Sequence, residues 1–320
     1  MSGAKGGVDL GGTKIQAVIL DGANEVLGQA RHPTPTTGGP EAVAAAIVET
    51  LLEAAGAAGL EASELTAVGV GSPGAVDPRT GVVASARNLP GWDSPFPLGP
   101  TLQAALDTKV ALGNDVQVGI EGEFALGAGQ DFSSLLGVFW GTGVGGGLVL
   151  DRRPWLGRGA AGEIGHMVVR KGGAVCPCGR RGCMEAYAGR AAMEARARAL
   201  VKEGERTELF EIMEERGRTR LQSGVWARAL KREDPMAVAL VDRAVRALGA
   251  GIASAVNLLD VEAVVIGGGL GTRLGAPYVK RIEEAMGPHL FVSERPPTVA
   301  LAALGDLGGA IGAALLAEAT

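Results

Sequence analysis

Short apolar runs of strand length recur along the chain, separated by helical patterns and by glycine-rich turns. Residues 7–10 and Lys14–Leu20 predict a β-hairpin that turns at Gly11 and Gly12. Residues 41–58 have apolar positions spaced for one buried face and predict a helix. Further strands are predicted at 65–70, 110–112, 261–266 and 299–301, and further helices at 102–106, 116–124, 190–205, 234–248, 250–259, 277–286 and 307–319. Strands and helices of this kind predict an α/β protein.

The first hairpin pattern occurs a second time, about 130 residues later. Residues 138–140 lead into the glycine-rich segment 141–147 and out through 148–150, and Asp151 ends this copy as Asp21 ends the first. Internal duplication of this kind is typical of two similar half-molecules that face one another. Two such turns on facing domains would clamp a polyphosphate tail. Two independent glycine-rich hairpins remain the alternative.

The composition places limits on the class of protein. A chain of 320 residues is long enough for two domains. With 47% hydrophobic and 20% charged residues it is globular, and its net charge of −5 with no Lys/Arg block gives no sign of nucleic-acid binding. No run of 18 apolar residues is present, so we expect no membrane partner. Reduced thiols that could bind metal fit a cytoplasmic location, which we expect for this protein. Small molecules are the expected ligands.

The turn of the first hairpin is a candidate phosphate site. Its glycines let backbone N–H groups face outward beside the Thr13 hydroxyl. Asp9 could hold a magnesium ion directly or through water. The candidate cofactor-binding residues here are Asp9, Gly11, Gly12, Thr13 and Lys14. A Gly-Gly hairpin turn that binds no ligand remains the alternative.

Glycines in the second half suggest further nucleotide contacts. Gly141, Thr142 and Gly143 form the second hairpin turn, and Gly268 and Gly269 follow a predicted buried strand. Close approach of the backbone to a base or ribose would explain the second group. A packed strand–helix turn would explain it equally well.

Asn114 and Asp115 stand where a predicted strand ends and a helix begins. Asp115 is a candidate general base, and Asn114 is a candidate ligand of a substrate hydroxyl. Both residues could instead serve only as a helix N-cap. Gly74, which also follows a predicted strand, and Asn88 in a later loop are further candidate substrate contacts.

A cluster of metal-binding residue types lies near the middle of the chain. His166, Cys176, Cys178 and Cys183 make the soft four-ligand set that a structural zinc ion prefers. Such a site has no open ligand position, so the metal would be a scaffold. Three free thiols beside an ordinary histidine remain the alternative. A disulfide fits less well because the cysteine count is odd.

Taken in order, these motifs resemble those of the ROK family of bacterial sugar kinases and related repressors. The resemblance covers nearly the whole chain and rests on residues 9–14, 114–115, 141–147, 163–166, 265–269 and the Cys-x-Cys-Gly-x-x-Gly-Cys-x-Glu run that ends at Glu185. The sequence departs from the family at Val261, where Pro is frequent, and at Ala188, where Ser is common. Neither residue belongs to the candidate site.

The resemblance implies an actin/hexokinase-like (ribonuclease H-like) two-domain fold, with ATP and a hexose in a cleft between the domains. We expect a smaller domain from 1–115 plus 306–320 and a larger domain from 116–305 that carries the zinc site. In the family, the aspartate matching Asp115 is the base for the sugar hydroxyl, and zinc lies on the positions matching His166, Cys176, Cys178 and Cys183. The sugar-contacting positions of the family match Asn88, Asn114, Glu163, His166 and Glu185.

Within the family, the resemblance implies ATP-dependent phosphorylation of glucose at its 6-hydroxyl, with Mg²⁺, a structural Zn²⁺ and a dimeric or tetrameric assembly. Mannose, fructose or N-acetylglucosamine as acceptor remain open, as does polyphosphate as donor. A DNA-binding repressor of the family would need roughly 50 residues of helix-turn-helix before the first hairpin, whereas Asp9 is near the start of this sequence. A sugar sensor without catalysis could dispense with Asp115 and the phosphate glycines, which are all present.

Overall fold

The computed structural model describes residues 3–86 and 89–317. In chain order the strands are β1 Lys5–Leu10, β2 Lys14–Leu20, β3 Val26–Pro33, β4 Ala67–Ser72, β5 Ala75–Asp77, β6 Val82–Ala84, β7 Val110–Asn114, β8 Leu135–Trp140, β9 Val144–Leu150, β10 Arg153–Pro154, β11 Ala263–Gly267 and β12 Thr298–Leu301. The helices are α1 Gly39–Ala57, α2 Leu98–Leu106, α3 Asp115–Leu126, α4 Glu185–Ala188, α5 Arg190–Lys202, α6 Leu209–Glu215, α7 Ser223–Lys231, α8 Pro235–Leu259, α9 Gly268–Leu274, α10 Ala276–Met286 and α11 Gly308–Leu316.

The chain divides into two compact units. Unit 1 comprises Met1–Gly127 and Ala303–Thr320, and unit 2 comprises Ala128–Ala302. The boundary predicted at residue 115 falls at the start of α3, whereas the structure keeps this helix in unit 1. The reason is packing, because α3 lies along α11 in the same unit.

Unit 1 is built on a five-stranded sheet in the order β3-β2-β1-β4-β7. The first three strands are antiparallel neighbours, and β4 and β7 run parallel to β1. Alternate residues of β2 pack on opposite faces, Ile15 and Ile19 in the core with α1 and Val18 with α11. Both faces of the sheet are therefore covered. Gly69 of β4 packs against the Ala313 carbonyl of α11 so closely that no side chain would fit.

Unit 2 repeats this topology. Its sheet has the order β10-β9-β8-β11-β12, with an antiparallel hairpin first and two parallel strands beside it. Its hydrophobic core includes the fully buried Trp140 and Trp226 together with residues of α8. The shared strand order confirms the internal duplication predicted from the two hairpins.

Several elements differ from the sequence-based prediction, among them α8, β3 and the short helix α9, which begins at Gly268. The helices predicted at 234–248 and 250–259 form the single helix α8, whose Gly249 lets the helix approach Ala285 of α10. Strand β3 was not predicted, because its buried positions are the small residues Gly28 and Ala30 rather than large apolar side chains. Among the described residues, no helix is long and apolar enough to cross a membrane.

Candidate active site

The first candidate turn, Gly11 to Thr13, connects β1 to β2. It is closed by the Gly11 N–H, which donates to the Lys14 carbonyl at 2.9 Å. Thr34, directly after β3, holds the turn from behind: its hydroxyl donates to the Gly11 carbonyl at 2.6 Å and its N–H to the Thr13 carbonyl at 3.3 Å. Thr34 is buried, so this support is shielded from water.

The direction of these bonds determines where the turn's own N–H groups face. In a trans peptide the C=O and the following N–H point in opposite directions. Since the Gly11 carbonyl points to Thr34, the Gly12 N–H points away from it. Neither Gly12 nor Thr13 donates its N–H to any of the described residues. Two such amides on one turn form a site that can receive a phosphate oxygen.

Asp9 precedes this turn on β1 and is half-buried. Burial raises the pKa of its carboxyl group; Lys14 acts in the opposite direction, and Asp306 adds to the rise. A desolvated carboxylate beside a second carboxylate is stabilised by a cation. The residue is therefore suited to hold magnesium, directly or through water, as the sequence predicts.

Asn114 and Asp115 lie where β7 meets α3. The Asn114 side-chain oxygen accepts the N–H groups of Val116 and Gln117 at 3.1 and 3.3 Å, so the residue is an N-cap. The Asp115 carboxylate accepts the Val116 N–H at 3.0 Å. A carboxylate at the N-terminus of a helix lies at the positive end of the helix dipole, which is a favourable position for a negative charge.

The β4 end lies beside this pair of residues. Strands β4 and β7 are parallel, with Ser72 opposite Asn114, so their carboxyl ends meet at one edge of the sheet. Gly71 of β4 lies against Asp115, since a Cβ atom there would lie 3.3 Å from the Asp115 Cα atom. Gly74 follows in the loop that leads to β5, where it packs against Ala84 and Ala86. Asn88, the remaining predicted contact of this unit, lies outside the described residues.

The second candidate turn, Gly141 to Gly143, connects β8 to β9 in unit 2. The Gly141 N–H donates to the Gly143 carbonyl at 3.0 Å. The start of α5 supports the turn from behind: the Arg190 N–H donates to the Gly141 carbonyl at 3.1 Å and the Ala191 N–H to the Thr142 carbonyl at 3.0 Å. By the same peptide geometry, the Thr142 and Gly143 N–H groups point away from α5. Within the described part of the chain neither has an acceptor.

Glu185 braces this second turn. One carboxylate oxygen accepts the Val144 N–H at 2.9 Å, and Gly143 lies against the same oxygen so closely that a side chain there would displace it. The other oxygen is 3.7 Å from the Cys176 sulfur. The residue predicted to contact the sugar thus also connects the turn to the cysteine loop.

Gly268 and Gly269, which follow β11, each fit a different one of the two alternatives, a packed strand–helix turn and a ligand contact. Gly268 has a left-handed backbone with φ of 78°, and a Cβ atom there would lie 2.7 Å from the Trp140 nitrogen, so it is a packed turn. Gly269 borders the second turn, because a Cβ atom at Gly141 would lie 3.9 Å from the Gly269 nitrogen. Gly269 is therefore the better placed of the two for a ligand contact.

The four predicted metal ligands converge in unit 2. One ligand atom from each of His166, Cys176, Cys178 and Cys183 lies within 4.8 Å of all the others. The His166 Nδ1 is 3.8 Å from the Cys176 sulfur, and the Cys178 and Cys183 sulfurs are 3.7 Å apart. Bond lengths to zinc of about 2.0–2.3 Å in a tetrahedron require ligand atoms about 3.5–3.8 Å apart. These two separations match that spacing, and the four residues are ligand types that zinc prefers.

The pKa values of the three thiols are shifted in different directions. Burial raises the pKa of Cys176 to about 12, and burial raises the pKa of Cys183 as well. The backbone N–H of Arg180 lowers the pKa of Cys178. A bound zinc ion would deprotonate all three thiols. With Nδ1 toward the thiols, the His166 Nε2 faces Glu163 at 3.7 Å, so the two predicted sugar contacts are neighbours.

Sequence reasoning missed Thr34, Arg190 and Ser223. Arg190 donates from its guanidinium to the Thr142 hydroxyl at 2.7 Å and to the Ser223 hydroxyl at 2.9 Å. One signal was present: Arg190 is the first residue of a helix, where a positive charge is unfavourable unless it has another role. For Thr34 and Ser223 no signal in the sequence indicates a function.

The ROK family profile matches residues 5–320 of this chain. The chain belongs to the ROK family. It is 33% identical to a glucokinase of Halalkalibacterium halodurans over 98% of this chain and 94% of that protein. It is 32% identical to the N-acetylgalactosamine kinase AgaK of a Shewanella species over 97% of this chain and 95% of that protein.

Solved structures of ROK proteins agree with the fold. A ROK hexokinase from Thermus thermophilus has 36% identity and a TM-score of 0.80, covering 99% of this chain and 98% of that one. A ROK glucokinase from Streptomyces griseus, solved with glucose and AMPPNP, has 30% identity and a TM-score of 0.83, covering 99% and 100%. This ROK protein therefore has the predicted actin/hexokinase-like fold. The relatives described above support sugar kinase activity and do not distinguish the sugar.

Proposed function

We propose that this ROK protein is an ATP-dependent sugar kinase that phosphorylates glucose at its 6-hydroxyl. The observation that carries the proposal is the position of Asp115 at the start of α3, against Gly71 at the carboxyl end of β4. A relative of 33% identity is a glucokinase, and a structural neighbour of 30% identity binds glucose and AMPPNP.

Asp115 would act as the general base. The primary hydroxyl of a hexose is a poor nucleophile, and a positioned carboxylate that accepts its proton typically contributes about 10²–10⁴ in rate. Phosphoryl transfer otherwise requires mainly alignment and neutralisation of charge. The amides of the two glycine turns would provide this neutralisation, with magnesium held near Asp9.

The cysteine cluster would act on sugar affinity rather than on chemistry. A zinc ion on His166 Nδ1 leaves the Nε2 atom as an N–H donor in a single tautomer beside Glu163. Glu163, His166 and Glu185 would then present fixed hydrogen-bonding groups to the sugar hydroxyls. His166, Cys176, Cys178 and Cys183 would fill the coordination of a zinc ion, so the ion would stabilise the loop and would take no part in the transfer.

The decisive experiment replaces the proposed base. Asp115→Asn should lower kcat about 10²–10⁴-fold, because the amide cannot accept the proton, while glucose affinity changes by less than about threefold. Activity is measured by coupled ADP release and glucose binding by calorimetry. Asp107→Asn is a matched control, since Asp107 ends α2 with a left-handed backbone that asparagine also adopts. An Asp115→Asn enzyme with half the wild-type rate would remove Asp115 from the mechanism.

The sugar is tested on the wild-type enzyme. Because an N-acetylgalactosamine kinase is as similar as the glucokinases, a panel should include N-acetylhexosamines beside glucose, mannose and fructose. We expect glucose to have the highest kcat/KM. A higher value for any amino sugar would replace glucose as the substrate and leave the assignment as a sugar kinase intact.

A further inference from the structure

Arg190 occupies an unusual position. It is the first residue of α5, where the helix dipole opposes a positive charge. Its guanidinium reaches across to two other elements: Nη2 donates to the Thr142 hydroxyl in the second turn at 2.7 Å, and Nη1 donates to the Ser223 hydroxyl at the start of α7 at 2.9 Å. A single side chain thus connects three elements of unit 2.

The charge of Arg190 has no direct counter-ion in the described part of the chain. Glu194, whose charge raises the pKa of Arg190, bonds instead to Arg198 and Arg220. Arg190 is half-buried, and burial lowers the pKa of its guanidinium, although Glu194 acts in the opposite direction. A half-buried cation without a carboxylate partner is stabilised when an anion binds beside it.

The contacts with Arg190 leave the Thr142 and Ser223 hydroxyls free to act as hydrogen-bond donors to a ligand. A hydroxyl has a single proton, and an oxygen that accepts from a guanidinium directs that proton elsewhere. Neither the Thr142 nor the Ser223 hydroxyl donates to any residue the structure describes. With the Thr142 and Gly143 N–H groups, four donors lacking an acceptor thus surround this turn.

Ser223 also borders the glycines after β11. A Cβ atom at Gly269 would lie 3.7 Å from the Ser223 oxygen, and Gly269 in turn adjoins Gly141. The Arg190 bridge therefore spans the two segments that the sequence predicts to contact the nucleotide. Its donors suit a ligand that has only acceptors, such as a phosphate chain.

We propose that Arg190 is a positioning residue of the nucleotide site, which orients the Thr142 and Ser223 hydroxyls as donors to the phosphates of the bound nucleotide. The inference rests on the proposed sugar kinase function. It adds Arg190 and Ser223 to the nucleotide-binding residues.

A double-mutant cycle on the full chain tests the inference, with MgAMPPNP affinity measured by calorimetry. Arg190→Met should weaken MgAMPPNP binding about 10- to 100-fold, because a charge-assisted network is lost. Ser223→Ala should weaken it about 3- to 10-fold alone, yet less than twofold in the Arg190→Met background, because Arg190 acts through that hydroxyl. Glucose affinity should stay within twofold in all variants.

Two further variants make the result specific. Arg190→Lys retains the charge but cannot reach both hydroxyls with a rigid fork, so its affinity should be intermediate. Arg196→Met is the matched control, since Arg196 lies on the same helix, bonds to Glu203 at 3.2 Å and should leave nucleotide affinity unchanged. Far-UV circular dichroism checks folding. If Arg190→Met does not fold, the double-mutant cycle is made with Arg190→Lys and Ser223→Ala instead.

Two outcomes would overturn the inference: additive effects of Arg190→Met and Ser223→Ala, or MgAMPPNP affinity unchanged in Arg190→Met. Failure of the proposed function would appear differently. A wild-type protein that binds MgAMPPNP but phosphorylates no sugar would contradict the kinase assignment, while the binding cycle would still decide the role of Arg190.

Discussion

The two glycine turns are alike in backbone and different in what surrounds them. Each has three residues between antiparallel strands, and each is closed by the N–H of its first glycine, at 2.9 Å in unit 1 and 3.0 Å in unit 2. Two residues before that glycine, the first hairpin has Asp9 and the second has Phe139. Behind the turn, the first has the neutral Thr34 and the second has Arg190.

This difference predicts a different function for each turn. Asp9, on the strand before the first turn and with neutral support from Thr34, is suited to a metal ion. At the second turn the Glu185 carboxylate accepts the Val144 N–H, and Arg190 places a positive charge behind the turn, which favours a phosphate. We therefore expect the first turn to act through magnesium and the second through its own donors. The hairpin is present twice in the chain, and the side chains around the two copies differ.

The largest expected effect comes from adding a side chain at each turn, because the two turns differ in the space that they leave for a Cβ atom. Gly143→Ala should lower kcat/KM for MgATP about 100-fold or more, because the new Cβ displaces the Glu185 carboxylate that holds the Val144 N–H. Gly11→Ala should cost less than about tenfold, since its Cβ would lie 3.1 Å from the Lys14 carbonyl and a small shift relieves the contact. Initial rates over a range of MgATP concentrations measure both. Equal losses in the two variants would show that the turns are equivalent.

A second effect should appear only at the first turn. Asp9→Asn should lower kcat/KM about 10- to 100-fold and make activity less sensitive to Mg²⁺ concentration, because a metal-binding carboxylate is removed. Burial raises the pKa of Asp9, so the folded protein gains stability from its protonated form at low pH and loses that stability as pH rises through the raised pKa. The asparagine variant removes the cost of ionisation and should therefore melt at a higher temperature than wild type at pH 7, with the gain disappearing toward pH 3. A variant less stable at pH 7 would contradict this account.

The smallest expected effect is that of removing the metal, which should influence the second turn and not the first. All three cysteines lie in unit 2, and Cys176 adjoins Glu185, which braces that turn. Elemental analysis should find about one zinc per chain. Chelation should lower the melting temperature about 5–10 °C and raise KM for the sugar about tenfold, with the first turn unaffected. Active, fully stable protein without metal would leave the cluster as three free thiols beside a histidine.

The local features of the site were predictable because their partners are close in sequence. The Asn114 cap bonds two and three residues ahead, and the His166 and cysteine cluster spans 18 positions from His166 to Cys183. In such cases residue type and spacing carry the information. The duplicated hairpins were equally visible, since each strand and turn is a continuous stretch of the chain.

The sequence alone was enough to predict the α/β class, the repeated hairpin, the grouping of His166 with the three cysteines and the family. It could not show that Glu185 braces the second turn, that α3 stays with unit 1, or that Arg190 joins Thr142 to Ser223. Those contacts unite side chains far apart in the chain, and a hydrogen bond depends on distances of a few tenths of an ångström that residue spacing does not encode. They exist only after the sheets and helices have packed.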